Sequence, residues 1–296
     1  MDAGHFPLEP TADGSHTFYS AAFGEWFHSR EGAYDEARRT YVQATKLVER
    51  AQRQPSLVIL DVCYGLGYNT AAALEAIWAV QPDYPIRAVG LELDATVPQA
   101  AIAQGLLTGW PIPVQAALTD LAKTGATPAP FHGTLLIGDA RQQIQTLVAS
   151  GFQADAIFLD PFSPPRCPQL WTVEFLTLVA RCLKPDGYLA TYSCAAAVRS
   201  TLQLAGLQLG ATRAVGRRWP GTLASFTAPH LPPLSPQELE HLETRAAVPY
   251  RDPSLQDPAE AIQARRSQEQ TTSPLKPTSA WRKRWLGRGT GATAMN

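Results

Sequence analysis

None of the four cysteines, Cys63, Cys167, Cys182 and Cys194, forms a C-x-x-C pair or stands at zinc-site spacing to a histidine. No metal site is therefore expected, and reduced thiols are. Charge of one sign is missing too. With a formal net charge of -1, any nucleic-acid contact has to come from a local basic patch. No apolar run reaches the length that spans a bilayer, so no membrane partner is expected. The opening "MDAGHFPLEPTADGSH" lacks a basic start followed by an apolar stretch, so no secretory signal is expected and a cytoplasmic protein is. The chain also lacks the third glycine of G-x-G-x-x-G and the Gly-Lys-Ser/Thr of a P-loop, the two common ways of cradling phosphates.

What is present is a strand–helix rhythm. "SLVILDV" (56–62) is a continuous apolar run, as expected of a strand buried on both faces. A helix from Asn69 to Val80 follows, then a strand at 86–94, a helical segment beginning at Thr96, and a strand at 133–140. After a helix from Arg141 to Ser150 come a strand at 154–160, a helix at 171–183, a strand at 187–193 and a helix in "AAAVRSTLQLAG". "LGATRAV" and "TLASFTA" suit a closing antiparallel pair. Such alternation predicts an α/β fold, a mainly parallel sheet with helices on both faces, whose ligands sit beyond the carboxyl ends of the strands.

Around this core, residues 1–16 are expected to be mobile, and the domain is expected to span 17–230, opening with a helical segment (17–54). A helical extension is expected over 231–270, with helix starts at Ser235-Pro236-x-Glu238 and Asp257-Pro258-x-Glu260. A basic, tryptophan-containing flexible tail follows at 271–296.

The strand ends carry the chemistry. Asp61 leads into a turn with Gly65 and Gly67, where glycine lets backbone approach a ligand. An ordinary tight turn is the plainer explanation. Glu92, ending the second strand, can accept hydrogen bonds from both hydroxyls of a ribose; Asp94 is its rival. Asp139-Ala140 can accept from an adenine amino group and leave room for the ring, or Asp139 can simply cap the next helix. Together these suit an adenosine ligand without phosphates, namely S-adenosylmethionine. Asp61, Tyr64 and Asn69, in and beside the turn, are grouped with Gly65, Gly67, Glu92, Asp139 and Ala140 as cofactor-binding residues. Asp160 opens the stiff loop "DPFSPPRCPQLW" beside the expected sulfonium, where a carboxylate can orient an amine and take its proton. A turn aspartate is the alternative. Phe162 shapes the adjoining wall.

"FGEWFHSREGAYDEARRTYV", "DVCYGLGYNT", "FLDPFSPPRCPQLWT", "VARCLKPDGYLATYSCAAAVRSTLQLAG" and "AVGRR", spread over residues 18–228, resemble the methyltransferase part of the bacterial bifunctional MnmC family. The resemblance implies a Rossmann-like class I S-adenosylmethionine-dependent methyltransferase with a mainly parallel seven-stranded sheet. It implies methylation of the primary amine of 5-aminomethyl-2-thiouridine at wobble position 34, in the anticodon loop of tRNA. Asp160 becomes the catalytic candidate, with Phe27, Ser29, Glu36 and Arg38 helping to close the site. The family's bifunctional members continue into a flavin oxidase domain that this length is not expected to accommodate, so either a separate oxidase is expected to supply the amine or the chain methylates something else. "DPF" also departs from the small residue more usual after the aspartate. Arg213, Arg217 and Arg218, with "WRKRW" in the tail, are candidate phosphate contacts; the tail's tryptophans can equally pack on the domain. The rivals are an aminopropyltransferase, a small-molecule methyltransferase and a non-catalytic RNA-binding module. The presence of Gly65, Gly67, Glu92, Asp139 and Asp160 together speaks against the last.

Overall fold

A computed structural model describes residues 6–215, 219–227 and 231–286. In chain order, three short antiparallel strands come first, β1 (Leu8–Pro10), β2 (His16–Ser20) and β3 (Glu25–Trp26). A broken helix follows: α1 (Ala33–Glu36), a π-helical turn over Ala37–Gln43 and α2 (Leu47–Ala51). Then β4 (Leu57–Val62), α3 (Tyr68–Val80), β5 (Ile86–Glu92), α4 (Thr96–Ala103), α5 (Ile112–Thr124) and β6 (Phe131–Ile137) build one half of the sheet. The other half contains α6 (Ala140–Ala149), β7 (Ala154–Leu159), α7 (Val173–Arg181), β8 (Leu183–Thr191), α8 (Ala196–Leu204), β9 (Gln208–Ala211) and β10 (Thr222–Ser225). The C-terminal helices are α9 (Pro236–Leu242), α10 (Ala259–Thr272) and α11 (Thr278–Trp285).

The seven-stranded sheet has the order β6-β5-β4-β7-β8-β10-β9. Its first five strands are parallel, and β10 joins antiparallel between β8 and β9. Side chains alternate across β4: Leu57 and Ile59 enter the core layer shared with α3 and the π-helical turn, while Leu60 and Val62 enter the layer under α6 and α7. Asp61 follows the first of these faces, beneath α3. From β4 the chain builds outward to β6, then crosses back to lay β7 on the other side. The order therefore reverses between β4 and β7, and that is where open α/β sheets bind ligands.

Four features depart from the sequence expectations. Part of the segment expected to be mobile is tied down: β1 pairs with β2, and the Asp13 carboxylate accepts from Ser15 N, Thr11 Oγ1 and Asp35 N. Helix α5 had no counterpart, because Pro111 and Pro113 look like breakers; they sit at the N-cap and in the first turn, where proline is tolerated. Helix α10 starts one residue later than Asp257 would place it; Pro258 is the N-cap, and Asp257 pairs with Arg265 at 2.7 Å. The described part of the tail is helical and docked. In α11, Trp281 stacks on His241 at 3.9 Å and donates to Gln237 O, and Trp285 donates to Glu240. At the start of this extension, the Ser235 capping box puts Glu238 against buried Arg199, 2.7 Å away, fastening α9 to the sheet domain. No described helix is long and apolar enough to cross a membrane.

Candidate active site

The turn after β4 is built by conformation. Gly65 and Gly67 have φ of +56° and +81°, and a Cβ on Gly67 would stand 2.6 Å from the Tyr64 hydroxyl oxygen. This left-handed path, which glycine adopts without a Cβ penalty, turns the chain from β4 into α3 within a few residues. Glu92 fastens the turn from the neighbouring strand: its Oε2 accepts from Gly65 N at 2.8 Å and its Oε1 from Asp94 N at 3.0 Å. Burial raises the Glu92 carboxyl above its ordinary range, while these two backbone donors pull the other way.

Beyond this turn is a cavity of ≈ 320 Å³, bordered by Tyr64, Gly65, Glu92, Ala140, Asp160 and Phe162. It belongs to the size class of small-molecule and cofactor sites. A larger cavity of ≈ 440 Å³ lies at the amino edge of the sheet, against Trp78, Pro113 and Phe131. The strand-end acids Glu92, Asp139 and Asp160 collect in the smaller one, so chemistry rather than volume identifies the site.

Asp160 emerges beside β4, its backbone N–H donating to Val62 O at 3.1 Å. Its Oδ2 accepts from Asn69 Nδ2 at 2.9 Å, from the first turn of α3. The wall opposite is aromatic. Phe162 stacks on Phe23 at 4.5 Å and meets Phe27 edge-on at 5.0 Å. Glu25 holds the loop in place: its carboxylate accepts from Ser163 N at 2.8 Å and from the Ser163 hydroxyl. The N-terminal strands thus close over the loop that follows Asp160.

The cavity fits a neutral or cationic adenosyl group better than a phosphate. Arg141 is the only arginine or lysine among the described lining residues, and it is consumed by Asp139 at 2.7 Å and Asp252 at 3.0 Å. Glu92 has remaining lone pairs suited to vicinal hydroxyls. Cys63 and Cys167 also border the cavity; burial pushes both thiols up, Cys167 to about 12, so neither supplies a thiolate nucleophile at neutral pH.

Residues 98–227 match the family described as S-adenosyl-L-methionine-dependent methyltransferase. The chain is 29% identical over 256 residues to the tRNA 5-methylaminomethyl-2-thiouridine biosynthesis bifunctional protein MnmC of Cupriavidus necator, covering 79% of this chain and 37% of that protein. It is 33% identical over 207 residues to the protein of the same name from an Azoarcus species, covering 65% and 31%. It thus spans about a third of the length of these curated relatives. With the crystal structure of MnmC2 from Aquifex aeolicus it shares 31% identity and a TM-score of 0.79, over 91% of this chain and 86% of that one. The chain belongs to the MnmC methyltransferase family. It is accordingly a class I methyltransferase that uses S-adenosylmethionine.

Against that family assignment, the residues singled out in the sequence divide into groups. Tyr64, Gly65, Glu92, Asp139, Ala140, Asp160, Phe27 and Phe162 border one cavity. Asp61 and Asn69 stand behind it: Asp61 is fully buried and accepts from Thr70 Oγ1 at 2.7 Å, and Asn69 supports Asp160. Asp139 performs the capping role, accepting from Arg141 N at 2.8 Å while ion-paired to the same side chain. Any adenine contact must share an oxygen already engaged there.

Three residues of the N-terminal segment do not border the cavity. Arg38 forms a two-pronged pair with Glu75, at 2.8 and 3.0 Å, and lies over Tyr34 and Trp110. Glu36 is buried and accepts from Ser29 N at 3.0 Å, so both residues brace the segment. Arg217 and Arg218 lie outside the described residues. The sequence reading missed Phe6, Phe23 and Glu25; the aromatic density of "FYSAAFGEWF" was the available signal.

Asp61 leads to a prediction about stability. Burial holds its carboxyl well above the usual range, despite the Thr70 bond. With the folded pKa above the unfolded value of about 3.9, its stabilising contribution is complete below that pH and is lost as pH rises toward the folded value. Asp61→Asn keeps an acceptor for Thr70 and never ionises. Its melting temperature relative to the parent is expected to increase between pH 5 and pH 8. A difference independent of pH would refute this.

Proposed function

We propose that this protein methylates the primary amine of 5-aminomethyl-(2-thio)uridine at wobble position 34 of tRNA. The observation that carries the proposal is one carboxylate, Asp160, sharing a cavity with the Glu92-anchored glycine turn and an aromatic wall. The names of the bifunctional relatives supply the substrate class.

In this reading Glu92 takes the ribose hydroxyls, Gly65 brings backbone close on the turn that Gly67 completes, and Ala140 leaves room for the adenine ring. When bound, S-adenosylmethionine supplies an electrophilic methyl group on a cationic sulfur. The protein's own task is to align the acceptor and present it uncharged. An alkyl ammonium with a lysine-like pKa of about 10 is mostly protonated at neutral pH. Asp160 attracts it, orients its nitrogen and accepts the proton directly or through water. A wobble base is in a single-stranded loop and can be turned out against aromatic side chains, a role for Phe23 and Phe162. Arg213, Arg217 and Arg218 are the proposed phosphate contacts, and a separate flavin oxidase is the proposed source of the amine.

The test is incubation of the protein and S-adenosylmethionine with tRNA carrying the aminomethyl group, followed by nucleoside mass spectrometry. Conversion of the aminomethyl to the methylaminomethyl nucleoside is expected. Unmodified tRNA alongside methylation of free small amines would move the assignment to a small-molecule methyltransferase.

A further inference from the structure

We propose that Tyr41 and Asn69 are positioning residues that grip the Asp160 carboxylate from beneath its strand end and aim it at the acceptor amine. This rests on the reading of Asp160 as the group that handles that amine.

The helix following Gly32 widens into a π-helical turn over Ala37–Gln43. Such single turns cost regular hydrogen bonding and are frequently found at functional sites. Here the turn buries Tyr41 completely and lays its ring edge-on to Phe158, two residues before Asp160, at 5.6 Å. The Thr45 hydroxyl donates to Tyr41 O at 2.7 Å, engaging the carbonyl of that turn. The buried Tyr41 hydroxyl has no hydrogen-bond partner among the described residues and lies near enough to Asp160 for that negative charge to act on it; burial followed by that charge pushes the phenol well up, so it stays protonated and is available as a donor to the carboxylate.

From α3, Asn69 Nδ2 donates to Asp160 Oδ2 at 2.9 Å, while its own Oδ1 is buried with no hydrogen-bond partner. Leaving an acceptor unpaired is a cost to stability, so packing alone does not account for an asparagine at this position. Both residues are neutral. They orient the carboxylate without cancelling its charge, whereas a lysine or arginine in either place would weaken its attraction for an ammonium ion.

The test is a double-mutant cycle on the full chain, using single-turnover methylation of aminomethyl-bearing tRNA with a labelled methyl donor. Tyr41→Phe and Asn69→Ala are each made in the parent and in an Asp160→Asn background. In the parent, each is expected to slow methyl transfer by roughly tenfold, the scale of a modest misplacement, with the KM for S-adenosylmethionine unchanged. In the Asp160→Asn background neither is expected to slow it further, because the group they act through no longer carries charge. An undiminished effect in that background, a loss confined to the donor KM, or no loss in the parent would each overturn the proposal. If Tyr41→Phe fails to fold, the Asn69→Ala cycle decides alone. Full turnover by Asp160→Asn itself overturns the underlying reading of Asp160, an outcome distinct from additivity.

Discussion

Asp160→Asn is expected to lower turnover by about 10²–10⁴-fold, the range for loss of a positioned acid–base group, while leaving affinity for S-adenosylmethionine essentially unchanged. The substitution is nearly isosteric, and asparagine offers an oxygen to the Asn69 amide that now holds Asp160 at 2.9 Å. The backbone bond to Val62 O does not involve the side chain. Geometry should therefore survive, and the charge alone is lost. That charge matters because the acceptor arrives as an ammonium and the developing product is again a cation, so a carboxylate is useful before and after methyl transfer. Rates at saturating donor and tRNA, with donor affinity from calorimetry, separate the two quantities. Unaltered turnover removes Asp160 from the mechanism. A parallel fall in donor affinity makes it a cofactor residue instead.

For Glu92→Ala the loss is expected in binding. Donor affinity should fall by at least about 100-fold, because two backbone donors and the ribose lose their acceptor, each such loss being worth about 1–3 kcal/mol. Gly65 N and Asp94 N both depend on this side chain, so the glycine turn loses its fastening at the moment the ligand loses its carboxylate. Glu92→Gln keeps one acceptor oxygen and should fall between the two proteins. Titration calorimetry with S-adenosylmethionine and with its demethylated product reads the effect directly. A melting curve of the unliganded variant shows whether the turn, rather than the whole domain, has loosened. Affinity unchanged in Glu92→Ala would transfer the ribose contact to Asp94, the neighbouring acid.

Much of the sheet was legible because its strands are buried on both faces. An apolar run such as "SLVILDV" has few alternatives once helices alternate with it, and a polar residue at its end falls on the ligand-binding edge. Asp61, Glu92, Asp139 and Asp160 are recognisable by that rule alone. Helix α5 was not, because two prolines at its start are local evidence against the element they begin. The role of the tail was left open for a related reason. Trp281 and Trp285 beside basic residues suit RNA and suit packing equally, and only the presence of His241, Gln237 and Glu240 opposite them distinguishes the two.

The N-terminal segment marks the boundary between the two kinds of information. Its composition announced aromatic and charged residues that could close a site, but not which ones face it. Phe23 and Phe27 do, and Glu25 braces the loop beside them, reaching Ser163 across 138 positions of chain, whereas Ser29, Glu36 and Arg38 are engaged elsewhere. By itself the sequence determined the order of strands and helices and the acids at the strand ends, because those follow from local periodicity. Only the tertiary structure decided which partner each acid meets: Thr70 for Asp61, Arg141 for Asp139, Asn69 for Asp160. Such contacts depend on how distant segments pack, and packing leaves no periodic trace along the chain.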